Sequence, residues 1–138
     1  MPSFEDIAAD FAFLDEWDER YKYLIDLGRA LAPYPEAFRD DAHKVRGCAS
    51  QVWLHPVETE KDGRRALRFE GDSDAHIVKG LVALLIALYA DKTPSEILAT
   101  DARAALAPFD LDGHLTPQRS NGLASMIKRI GEIAAAAR

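Results

Sequence analysis

Ten consecutive apolar residues, Leu81 to Ala90, constrain this chain more than any other feature. A bilayer span needs roughly 20 such residues, so the run is too short to cross one. It is apolar nearly all round, so a helix built from it has no face to turn to water and belongs at the centre of a core. That helix is expected from about Asp74 to Ala90. Gly71-Asp72-Ser73-Asp74 precedes it, with Asp72 or Ser73 as N-cap, where acidic groups also suit the helix dipole. At 138 residues and 48% apolar content, the chain has the size of one domain, 1–138, able to bury a core without staples.

The flanking segments supply the rest of the fold. Ser3 followed by Asp6 has capping-box spacing and predicts a short N-terminal helix. Leu14, Trp17, Tyr21, Leu24, Gly28 and Leu31 recur three and four apart, marking one helix face; Pro33 and Pro35 end it. Gln51 to Val57 then reads as a strand, with Val52 and Leu54 on one face and Trp53 and His55 on the other. Asp62-Gly63 is a hairpin turn, since both residues tolerate positive φ, and Ala66 to Glu70 is the returning strand, with Leu67 and Phe69 on one side. Residues 44–46 are expected to add an extended piece before Cys48. Thr93-Pro94-Ser95-Glu96 starts a helix over 94–99, and another follows over 101–107. Thr116-Pro117 opens the last helix, with Leu123, Ile127, Ile130 and Ala134 buried. The order predicts an α+β domain: a small antiparallel sheet with helices packed on one side.

Charge and cysteine usage narrow the function. The formal net charge is −6, whereas nucleic-acid binders are basic where they meet phosphate. One cysteine excludes an internal disulfide and a multi-cysteine metal site. A lone thiol suits a reducing cytoplasm, and the N-terminus has no basic start followed by an apolar stretch, so no signal peptide is expected.

That cysteine lies in Lys44-Val45-Arg46-Gly47-Cys48-Ala49-Ser50-Gln51. Gly47 gives a bare backbone for a tight turn or a close approach. Lys44 and Arg46 would lower the thiol pKa through their positive field, and small Ala49 and Ser50 let Cys48 project from a loop. The alternative is an inert, packed thiol, the commoner state of free cysteine. His43, His55, His76 and His114 form no compact metal pair. A Cys–His nucleophile with His43 or His114 is conceivable, although solvated or locally bonded rings are the plainer reading. Arg119, near the start of the last helix, does not help that helix's dipole. It serves an anion or a partner carboxylate, or is a solvent-exposed cation. Asp72, Ser73 and Asp74 lack the further ligands of a calcium loop.

Five blocks of the chain, in order, carry a family resemblance. They are Trp17-Asp18-Glu19-Arg20-Tyr21-Lys22, the segment from Val45 to Trp53 around the cysteine, Asp72 to Leu81, Thr93 to Leu98, and Leu115 to Leu123. Together they resemble the SufE family, including its CsdE-like members, which accept sulfur from cysteine desulfurases in iron–sulfur cluster assembly. The resemblance implies an α+β fold similar to the IscU scaffold. It implies that Cys48 takes sulfur as a persulfide from a SufS- or CsdA-like cysteine desulfurase and passes it to a SufBCD-like scaffold. Gly47, Arg46, Ser50, Asp74 and Arg119 become supporting or partner-contact residues. No cofactor or metal is expected in the chain itself; pyridoxal phosphate belongs to the desulfurase. Neither nucleic acid nor membrane is an expected partner, and the expected location is cytoplasmic. Cys48 is expected on a loop that shelters it at rest and swings out on docking. Two other classes remain: a stand-alone cysteine-dependent transferase or hydrolase, and a structural interaction module.

Overall fold

In the computed structural model, which describes residues 2–138, most of the apolar run lies in a central helix. The order is α1 (Phe4–Phe13), α2 (Trp17–Arg29), β1 (Val52–Lys61), β2 (Arg64–Ser73), α3 (His76–Leu88), α4 (Pro94–Ala99), α5 (Ala102–Leu106) and α6 (Pro117–Ala137). Short 3-10 segments occur at Glu36–Phe38, Asp41–His43 and Ala107–Phe109. Eleven of the 13 residues of α3 are buried, all but His76 and Lys79. A helix so enclosed needs cover on every side, and the neighbouring elements provide it.

Two glycines set the crossing of α2 on α3. A Cβ at Gly28 would lie 2.8 Å from the Gly80 nitrogen and 2.9 Å from the Lys79 carbonyl carbon. A Cβ at Gly80 would meet the Leu24 carbonyl group. The two backbones therefore touch without intervening side chains. This explains why Gly28 continues the apolar stripe of α2 although it has nothing to bury. Other layers close the core: Phe11 of α1 packs on Phe109 with ring centroids 4.8 Å apart, and Met126 and Ile130 of α6 are fully buried.

The sheet is one antiparallel hairpin, registered from Val52 opposite Ser73 to Lys61 opposite Arg64. Asp62 and Gly63 form its turn with φ of 51° and 74°, the two left-handed residues of a type I′ turn that matches strand twist. Residues directly opposite share a face. Val52, Leu54, Leu67, Phe69 and Gly71 thus form the core face, and a Cβ on Gly71 would strike Val82 of α3. The other face is covered at its base by the coil before β1. Phe38 stacks on His55 at 3.7 Å between ring centroids, and the Arg39 guanidinium sits 4.7 Å over the Trp53 ring.

Local signals mostly hold. Ser3 caps α1 by accepting from the Asp6 N–H at 3.1 Å. Thr93 and Glu96 make a reciprocal capping box, which with Lys61 holds the Glu96 carboxyl down to about 2. Lys44 bridges to Trp53 as the extended piece. The strands run longer than their apolar cores, to Lys61 and from Arg64, because the ladder continues through exposed residues. Helix α2 stops at Arg29, ahead of either proline, and Leu14 caps α1 instead of belonging to α2.

The start of α3 departs further from expectation. Strand β2 extends to Ser73 and the helix begins only at His76, with Ala75 at the cap and no side-chain cap bond. Asp72 instead accepts from Arg39 Nη2 at 2.7 Å and pairs with Lys79 at 3.3 Å. Burial pushes its carboxyl up, but these cations and the Ser73 N–H outweigh it and leave the group below its ordinary range. Ser73 Oγ accepts from the Ala75 N–H in a local turn. Both candidate caps are engaged elsewhere, Asp72 by a group distant in sequence.

Candidate functional site

Cys48 sits on a loop pinned at both ends and loosely held between them. On one side the Val45 N–H donates to the Val52 carbonyl at 2.8 Å. On the other, the Gln51 N–H donates to Asp74 Oδ1 at 3.0 Å, and the Asp74 N–H returns to the Gln51 carbonyl at 3.3 Å. Gly47 adopts a φ of +87°, where a side chain would be strained; a Cβ there would also lie 2.5 Å from Ser125 Oγ. Two long contacts hold the loop against α6. Ser125 Oγ donates to the Gly47 carbonyl at 3.4 Å, and the Cys48 thiol donates to the Gly122 carbonyl at 3.6 Å. Both lie at the weak end of hydrogen bonding.

The thiol is half-buried and faces a cavity of about 210 Å³ whose lining includes Ser50, Val78, Gln118, Arg119 and Gly122. Arg119 hangs there by donating from Nη1 to the Tyr21 hydroxyl at 2.6 Å. Residues from the cysteine loop, α3 and the first turns of α6 thus share one recess, and α2 reaches it through Tyr21.

The electrostatics reverse one expectation. Burial pushes the Cys48 thiol above its ordinary value, and no charge opposes that shift. Lys44 and Arg46 do not line the cysteine cavity; they line a separate groove with Lys128 and Arg129 on the other side of Gly47. At neutral pH Cys48 therefore rests as a protonated thiol.

Of the residues singled out from sequence, Cys48, Ser50 and Arg119 meet at the cavity, Gly47 supplies the turn, and Asp74 clamps the loop's base. Arg46 points elsewhere. The histidines stay away from the thiol's cavity: His43 pairs with Asp40 at 2.7 Å, and His114 stacks on Trp17 with centroids 4.0 Å apart. No three His, Cys, Asp or Glu groups converge as a metal site among the described residues. No helix among them is long and apolar enough to cross a membrane. Sequence reasoning missed Gly122, Ser125 and the tie from Tyr21 to Arg119. Ser125 follows Gly122 by three residues, the spacing of one helix face, and that repeat was the available signal for the docking face of α6.

A single half-buried cysteine on a tethered loop of a small α+β domain defines the class of protein. The family comparison gives that class a name. The SufE model, described as an Fe-S metabolism associated domain, matches residues 5–134, and the chain belongs to this family. An uncharacterised SufE-like protein of Rhizobium meliloti is 51% identical over 130 residues, covering 94% of this chain and 93% of its own. Another, from Rhizobium etli, is 50% identical over 132 residues, covering 96% and 89%. The solution structure of a hypothetical protein from Thermus thermophilus shares the fold, with a TM-score of 0.74, 19% identity and coverage of 97% of this chain and 94% of that one.

Proposed function

We propose that this chain is a sulfur carrier that accepts sulfane sulfur on Cys48 from a cysteine desulfurase and delivers it to an iron–sulfur cluster scaffold of the SufBCD kind. The observation that carries the reading is the placement of Cys48: shaded at rest, on a loop firmly pinned at its ends and held by two weak contacts in its middle. A permanent nucleophile gains nothing from such a mount, whereas a carrier that must both hide and present its sulfur needs it.

The chemistry is thiol exchange. The Cys48 thiolate attacks the outer sulfur of the donor persulfide, forming a new S–S bond as the donor's own S–S bond breaks. The donor cysteine leaves as thiolate, and Cys48 becomes the persulfide. No electrons are gained or lost overall. Docking has to lift Cys48 from its cavity so that its raised pKa falls back and a thiolate becomes available. Arg119, held at the same cavity by Tyr21, then stands as counter-charge for the more acidic persulfide. The chain supplies no cofactor of its own in this scheme; pyridoxal phosphate resides in the desulfurase.

Intact-mass spectrometry after incubation with an active cysteine desulfurase and L-cysteine tests the reading. A gain of about 32 Da per sulfur, reversed by reductant and absent from Cys48→Ser, is the expected result. An unchanged mass beside a turning-over desulfurase would refute it.

A further inference from the structure

On the opposite side of Gly47 from the thiol's cavity lies a groove of about 620 Å³, lined by Lys44, Arg46, Lys128 and Arg129 with only Asp41 and Glu132 as carboxylates. Arg129 pairs with Glu132 at 3.7 Å. Lys44, Arg46 and Lys128 form no ion pair among the described residues. The chain as a whole carries −6, so three unmatched cations in one groove are a local reversal of its field. Like charges gathered without counter-ions repel one another, and such an arrangement lowers its energy when a partner brings carboxylates.

The groove's two walls are the two sides of the loop latch. Lys44 and Arg46 belong to the chain leading into Cys48. Lys128 and Arg129 follow Ser125 on α6, and Ser125 holds the Gly47 carbonyl. An acidic surface seated here bears directly on the contact that keeps the cysteine loop down.

We propose that this groove is the electrostatic docking site for the sulfur donor, and that the donor presents a cluster of carboxylates beside its persulfide-bearing cysteine. The inference rests on the reading of Cys48 as sulfur acceptor and adds the chemistry by which the donor is recognised. The adjacent cysteine, read as the sulfur acceptor, favours an acidic protein over a nucleic acid as occupant. Charges at a rim of this kind act mainly on encounter, so their effect fades as salt screens them.

The test is sulfur transfer from desulfurase and L-cysteine to the full chain, with acceptor concentration varied from low salt to about 0.3 M NaCl, where the Debye length falls to several ångströms. The Arg46→Glu/Lys128→Glu double variant should raise the KM for the acceptor about ten-fold at low salt and flatten or invert its salt dependence. The Arg46→Lys/Lys128→Arg variant should restore both, and the neutral Gln pair should fall between. Far-ultraviolet circular dichroism and the rate of iodoacetamide alkylation check that fold and thiol are intact. Equal KM and equal salt slope in the Glu variant and the parent would overturn the groove while leaving the carrier reading in place. So would binding of a random oligonucleotide that is lost in the variant without change in sulfur acceptance. A parent chain that takes no sulfur from an active donor would overturn both.

Discussion

Replacing Gly80 with alanine puts the fold's tightest crossing to the test. The added carbon would lie 2.7 Å from the Leu24 carbonyl carbon and nearer still to its oxygen. Both are backbone atoms of α2 and cannot rotate aside. Ordinary contact begins near 3.4 Å, so α2 and α3 have to part or shear, loosening the cover of the buried Leu81 and Leu84. Overpacking of a filled core costs about 1–3 kcal/mol, and this site belongs at the upper end because nothing flexible yields. Alanine recovers about 1 kcal/mol of helix preference over glycine. The net expectation is destabilisation by about 2 kcal/mol, which lowers the urea midpoint by about 1 M at an unchanged m-value of about 2 kcal/mol/M. Gly131→Ala is the matched control. It lies within α6, and an added Cβ there meets nothing within 4 Å, so the substitution should stabilise by about 0.5–1 kcal/mol. The same chemical change gives opposite signs at two helical positions. Urea unfolding followed by circular dichroism reads both, and a Gly80→Ala protein as stable as the parent would refute the close-packed crossing.

Three further outcomes follow from the site and its surroundings. The Cys48 alkylation rate should rise with a midpoint above that of a free thiol. Because folding raises this pKa, the thiol-linked share of stability is complete below the ordinary thiol pKa and is lost as pH climbs through the folded value, which denaturation at pH 7 and pH 9.5 (chosen as about one unit above a free thiol) detects. Asp74→Ala removes the acceptor for the Gln51 N–H and should raise the alkylation rate several-fold at fixed pH while the urea midpoint moves little; an unchanged rate would show that the clamp does not restrain the loop. Burial lowers the His55 pKa, with Glu70 opposing, so its contribution is held above the ordinary histidine value and lost as pH falls through the folded one. His55→Phe, which keeps the stack on Phe38, should narrow the gap in melting temperature between pH 7 and pH 5 by about 2 °C.

What could be read from sequence divides by the range of the interaction that decides it. The Asp62-Gly63 turn, the Thr93–Glu96 capping box and the Thr116 cap are settled within four residues, and each stands where the sequence puts it. The helix bounds of α4 match to the residue for the same reason. Asp72 and Ser73 satisfied the local rules for a cap, and Asp74 those for an acidic helix start, yet all three serve other ends. Arg39 lies 33 residues from Asp72, and Gln51 lies 23 from Asp74, so no short-range pattern announces either pairing. The expected strands stop short where apolar alternation fades after Val57 and at Arg64 and Arg65, although the backbone ladder continues beneath exposed side chains. At the site, the loop and its cysteine were legible, whereas the meeting of Arg119 with that cysteine at one cavity was not. Nor was the thiol's raised pKa. Lys44 and Arg46 are near Cys48 along the chain but line a different groove, and proximity in sequence is a poor guide to field in three dimensions.

The Cys48 thiol and the Gly122 carbonyl that shades it are separated by 74 residues of chain. That shade is a product of the completed fold and vanishes with it. An unfolded or clipped copy, its last helix undocked, carries a thiol as open and as acidic as any in a peptide, ready for exchange with small disulfides or attack by oxidants. A damaged copy thereby marks itself chemically, and the labelling rate of one sulfur atom reports on the integrity of the whole molecule.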